Sequence, residues 1–133
     1  MGTLITFYSY KGGVGRTMAL ANIATLLAMW GKKVLVVDWD LEAPGVEHFL
    51  VAPGPDLAAV QSKRGLVDLL RELSEKTSSD VPKMSWRSLL IGTQIRGTNA
   101  KLSLLTAGAR TQSYFKNIRG LDVKAFYEEK TGF

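Results

Sequence analysis

The sequence predicts an α/β fold, a mostly parallel sheet with helices on both faces, and three observations point there. A β-branched and aromatic run, Thr3-Leu4-Ile5-Thr6-Phe7, leads into a glycine-rich turn at residues 11–15. An alanine- and leucine-rich run without glycine or proline follows from Met18 to Trp30. A second β-branched run, Val34-Leu35-Val36-Val37, then ends in Asp38-Trp39-Asp40. Alternation of buried strand and helix at this spacing is the pattern of a βαβ unit.

Taken in order, residues 3–9 read as a buried parallel strand, continuous and rich in β-formers. The first helix is expected from Gly15 to Trp30, stopped by Gly31. Its apolar residues cover almost the whole circumference, so it is expected to be enclosed. Val34–Val37 gives the second strand, predicted adjacent and parallel to Thr3–Tyr8 through a right-handed crossover. Leu41-Glu42-Ala43-Pro44-Gly45 supplies a turn, and the stretch Val51–Lys63, with its Ala-Pro-Gly-Pro-Asp, reads as a loop. Leu66, Leu69, Leu70 and Leu73 recur at helical spacing to about Lys76, and Thr77–Pro82 is a polar loop. Trp86–Ile91 is ambiguous between strand and short helix, and Leu102–Thr106 reads as a strand.

The turn carries the chemistry. Glycines between a strand and a helix let backbone N–H groups approach an anion without a Cβ in the way. The helix start adds unpaired donors and positive potential. A polyphosphate is the ligand that fits. Against the phosphate-loop pattern G-x-x-x-x-G-K-[ST], Gly15 and Thr17 are in register, Tyr10 replaces the first glycine and Arg16 replaces the lysine. A further basic residue, Lys11, heads the loop. Asp38 and Asp40, at the carboxyl end of a parallel strand, are expected on the sheet edge where that loop opens.

The string Lys11-Gly12-Gly13-Val14-Gly15-Arg16-Thr17 resembles the deviant Walker loop of the ParA/MinD-type P-loop ATPases, in the variant that carries arginine. Val37–Gly45, VDWDLEAPG, resembles the same variants. The resemblance implies a three-layer P-loop NTPase-like fold that binds ATP with Mg²⁺ and hydrolyses it slowly as a dimerisation-linked switch. Lys11 through Met18 (Lys11, Gly12, Gly13, Val14, Gly15, Arg16, Thr17, Met18) would bind the nucleotide. Arg16 would contact the β/γ-phosphates, and Lys11 would reach a partner's phosphates across an ATP-dependent homodimer. Thr17 would coordinate Mg²⁺, Asp38 would help organise its shell, and Asp40 would position the attacking water. Two other readings stand beside this one. One is a degenerate nucleotide-binding adaptor without hydrolysis, which Arg16 favours. The other is a DNA-partition ATPase.

Composition bounds these readings. The 133 residues carry a net charge of +5 and no cysteine, which excludes disulfides, thiolate metal sites and cysteine nucleophiles. Residues 1–60 hold four Lys/Arg against five Asp/Glu, and residues 61–133 hold thirteen against seven. The basic residues of that second part are scattered, without aromatic interleaving, which favours a solvated surface over a nucleic-acid stripe. The start lacks a secretory signal and no run is long enough for a membrane span, so a cytoplasmic setting is expected. His48 is the only histidine, so a metal site around it is not expected. A second strand-end aspartate and an adenine-binding segment have no counterpart. The chain is therefore read as the amino-terminal part of one nucleotide-binding domain, incomplete as it stands and inactive alone.

Overall fold

A computed structural model describes residues 2–74 and 85–121. Thr77–Pro82, the end of the leucine helix at Lys76, and Phe126-Tyr127 with Gly132-Phe133 lie outside the described residues. The elements run α1 (Arg16–Met29), β1 (Leu35–Val37), α2 (Glu47–Leu50), α3 (Pro55–Gln61) and α4 (Leu66–Ser74). A 3₁₀ turn (Trp86–Leu89), β2 (Ile91–Gln94), β3 (Lys101–Leu105) and α5 (Gln112–Gly120) follow.

The sheet has the order β1-β3-β2. β1 pairs parallel with β3, Val36 opposite Leu104, and β2 pairs antiparallel with β3, Gly92 opposite Ser103. The parallel ladder extends past β1, since the Asp38 N–H donates to the Leu105 carbonyl at 2.9 Å. Alternation along the strands divides the apolar residues between two faces. Val36, Leu102 and Leu104 pack with Ala21, Ala24 and Ala28 of α1, Leu50 of α2 and Val60 of α3. Val37 and Leu105 face Leu66 and Leu70 of α4. Helices therefore cover both faces, the three-layer α/β arrangement expected from the sequence.

Three expectations need correction. Residues 3–9 are not a strand and take no part in the sheet. Leu4 is 91% exposed, and β1 takes β3 as its parallel neighbour. A β-rich run becomes a strand only when a neighbour completes its ladder, and among the described residues none does so for this segment. α1 is not enclosed either. Its alanines form the buried stripe, while Met18, Ile23, Leu26, Met29 and Trp30 are exposed. Finally, Val51–Lys63 contains a helix. Pro55 occupies the first helical turn, where its missing N–H costs nothing, and Gly54 takes φ 109° just ahead of it.

The ambiguous run divides, Trp86–Leu89 forming the 3₁₀ turn and Ile91 opening β2. Gly31, at φ 74°, ends α1 where the sequence placed the stop.

Candidate functional site

The parallel β1–β3 pair brings both strand ends to one edge of the sheet, so Asp38–Glu47 and Thr106–Arg110 meet there. The glycine-rich turn opens beside them. Gly13 and Gly15 adopt φ 70° and 78°, the left-handed conformation that a side chain resists. Gly15 is the N-cap of α1, with no side-chain cap and no acid in the first turn. The first N–H groups of this 14-residue helix thus keep free donors and the positive end of the dipole. Lys11 is exposed, and its backbone N–H donates to the Ser9 hydroxyl at 3.2 Å.

The start of α4 gives the contrast. Its Leu66 and Val67 N–H groups donate to the carbonyls of Thr106 and Ala107 at 2.9 and 3.0 Å. Asp68 reaches back to accept from the Gly65 N–H at 2.9 Å. The α4 terminus is closed by the protein's own groups, whereas that of α1 is open to an anion.

Arg16 is the link between the turn and the acidic edge. Its guanidinium donates to the Ser9 carbonyl at 3.1 Å and stands 3.6 Å from the Asp40 carboxylate. Both side chains are partly exposed, so water screens the pair, and its importance is geometric. Asp40 is thereby placed beside the glycine-rich turn.

Asp38 lies at the base of the 38–46 loop and is held by backbone groups. One carboxylate oxygen accepts from the N–H of Asp40 at 3.1 Å, and the other accepts from Gly45 at 2.9 Å and Val46 at 3.2 Å. It is 7% exposed, and three of its roughly four acceptor sites close the 38–46 loop. Burial pushes its carboxyl above the ordinary value, opposed by those three N–H groups, and nearby Glu47 adds to the rise. A carboxylate so engaged holds the loop in place.

Sequence reading missed two further anchors of this loop. Glu47, 3% exposed, forms a close ion pair with Arg110, and Gln61 lies within reach of both Glu47 and His48. Tyr114, also 3% exposed, donates its hydroxyl to the Leu41 carbonyl at 2.7 Å. Burial, and then the charge of Asp38, push the phenol up to about 12. The available signal was the pairing of single acids and bases distant in sequence, which only folding brings together. Thr106, where β3 ends, is buried with a hydroxyl that finds no partner among the described residues.

Phosphate suits the open turn. For Mg²⁺, no group of three acidic or histidine side chains forms a cage among the described residues. An ion there would rest on phosphate oxygens, water and the Thr17 hydroxyl, the usual habit of Mg²⁺. No helix among the described residues is long and apolar enough to cross a membrane.

Comparison with known proteins agrees with this chemistry. A family model described as an AAA domain matches residues 2–119. An uncharacterized ATP-binding protein of Methanocaldococcus jannaschii is 38% identical over 69 residues, 52% of this chain and 23% of its own. The chromosome-partitioning ATPase Soj of Treponema pallidum is 48% identical over 40 residues, 30% of this chain and 16% of its own. The septum site-determining protein MinD of Bacillus subtilis is 51% identical over 41 residues, 31% of this chain and 15% of its own. The chain therefore spans at most 23% of the length of these three relatives. No solved structure matches it.

Proposed function

From the membership of this chain in the AAA domain family, the ParA/MinD-like P-loop ATPases, we propose that it binds MgATP at the start of α1 and serves a slow, hydrolysis-timed switch. The observation that carries this is the uncapped α1 terminus, entered through Gly13 and Gly15 at positive φ, with Arg16 beside Asp40. The N–H groups of Gly12 to Thr17 receive the phosphates, and Arg16 exchanges Asp40 for the β/γ-phosphate oxygens. Thr17 holds Mg²⁺ through its hydroxyl. Asp40, released from Arg16, faces the γ-phosphate and orients water, while Asp38 acts by holding the loop. Lys11, exposed at the head of the turn, supplies charge to a second nucleotide across an ATP-dependent homodimer, in a cytoplasmic setting. The chain is the amino-terminal part of such a domain, in this reading, and turnover belongs to the longer protein.

The adaptor alternative differs only in lacking turnover, because arginine is bulkier than lysine and crowds the in-line geometry. The DNA-partition alternative draws on the basic second half of the chain, but several of its arginines are engaged within the protein. Arg64, Arg71, Arg87 and Arg110 each have internal partners in Asp68, Asn117, the Trp86 ring and Glu47. Phosphate release and calorimetric titration with MgATP, on the longer protein and its Arg16→Ala variant, test the proposal. Binding that Arg16→Ala weakens about tenfold or more, the loss of a charge-assisted contact, supports it. Equal binding by both proteins contradicts it, and binding without turnover selects the adaptor.

A further inference from the structure

The loop that presents Asp40 is held by a group from the far end of the described chain. Residues 38–46 form a closed bend, tied at its base by Asp38 to the N–H groups of Asp40, Gly45 and Val46. Such a base fixes where the loop begins and ends and holds the Asp40 N–H, while the carbonyl of the next residue is left for another group to hold. Asp40 stands at the crest, with the Ala43 N–H donating to it at 3.2 Å. The next residue, Leu41, receives the Tyr114 hydroxyl through its carbonyl, at 2.7 Å and across 73 residues. Leu41 also packs against Val67, Ala107 and Tyr114. Its backbone and side chain are thus both fixed from below.

We propose that Tyr114 is a positioning residue for Asp40: its buried hydroxyl, bonded to the Leu41 carbonyl, sets the angle at which the loop offers the Asp40 carboxylate to the phosphate site. The proposal deepens the reading given above and rests on it for the identity of that site. Three features make Tyr114 suited to the task. Its ring is enclosed, 3% exposed and packed with Val67 and Ala107. Its phenol stays protonated, and so a donor, through the whole neutral range. It stands on α5, directly after the β3 end that carries Arg110, so a single segment supports the loop twice: Tyr114 at the crest and Arg110 at Glu47. The effect reaches Asp40 through the main chain, because Tyr114 touches no phosphate.

The test is Tyr114→Phe, which keeps the ring and removes only the donor. Amide hydrogen exchange is followed at Asp40 and Gly45, with Leu104 in β3 as the internal control, and MgATP turnover is measured alongside on the longer protein carrying the same substitution. The expected result is exchange about tenfold faster at Asp40 and Gly45 with Leu104 unchanged, the size of one lost hydrogen bond. With it, kcat falls about tenfold while KM stays within about twofold, since water orientation suffers and phosphate contacts do not. Acceleration by one common factor at all three amides, tracking a lower urea midpoint, shows a purely structural tyrosine and overturns the proposal. So does unchanged exchange in the loop, or a loss expressed in KM alone. If the longer wild-type protein neither binds nor turns over MgATP, the ATPase reading fails, and the exchange comparison still decides whether Tyr114 positions Asp40.

Discussion

At the residue scale, the site is defined by which polar groups are spent and which are free. Asp38 accepts from three backbone N–H groups, and its raised pKa has a thermodynamic consequence. An acid whose folded pKa lies above its unfolded 3.8 binds more protons when folded. Its contribution is therefore complete below pH 3.8 and is lost as pH rises through the raised value. The urea-midpoint advantage of wild type over Asp38→Asn should be largest at the acidic end and shrink as pH rises. A widening gap would mean that the three N–H bonds outweigh burial. Thr106 is the opposite case, a buried hydroxyl without a partner. Thr106→Val keeps the shape and removes the unsatisfied group, and it should raise unfolding free energy by about 1 kcal/mol. A loss of similar size would reveal a partner for the hydroxyl. These roles were only partly legible in advance. The types and order of Lys11–Thr17 and Asp38–Asp40 mark the candidate site, because a phosphate loop is a local motif. The duties of Glu47, Arg110 and Tyr114 depend on contacts spanning 63 and 73 residues, which no local pattern encodes.

At the element scale, two helix starts divide the work: α1 offers its N-terminus outward and α4 is sealed onto the end of β3. The seal depends on Gly65, where a Cβ would stand 2.3 Å from the Thr106 carbonyl oxygen and 2.6 Å from the Gly108 nitrogen. Both are backbone atoms and cannot swing aside. Gly65→Ala should therefore cost about 1–3 kcal/mol in urea unfolding and disturb the β3 end that carries Arg110. A neutral substitution would show that α4 is not docked there. Elements with strong local signals were readable: α1 from its composition and Gly31, α4 from its leucine spacing, β1 and β3 from their β-branched and leucine runs. The amino-terminal run was misread because pairing is a tertiary property. Its residues suit a strand, but β1 gives its parallel ladder to β3. Helix α3 was missed because Pro-Gly-Pro reads as a loop, although its second proline starts a helix.

At the scale of the whole molecule, helices cover both faces of a three-stranded sheet, yet the amino-terminal third keeps much apolar surface in water. Met18, Ile23, Leu26, Met29 and Trp30 lie on one side of α1, where Asn22 interrupts them. Exposed apolar surface of that kind drives association. Sedimentation should show concentration-dependent self-association of the 133-residue chain, reduced by Leu26→Glu. A strict monomer at high concentration would contradict this. The central claim, that the start of α1 is a nucleotide-phosphate site facing Asp40, is tested most directly by amide NMR shifts during titration with MgATP. The account predicts saturable shifts concentrated at Gly12–Met18 and Asp38–Asp40, abolished by Arg16→Ala. Shifts confined to the α3–β2 side of the molecule, or none at Gly12–Thr17 at saturating nucleotide, would contradict it.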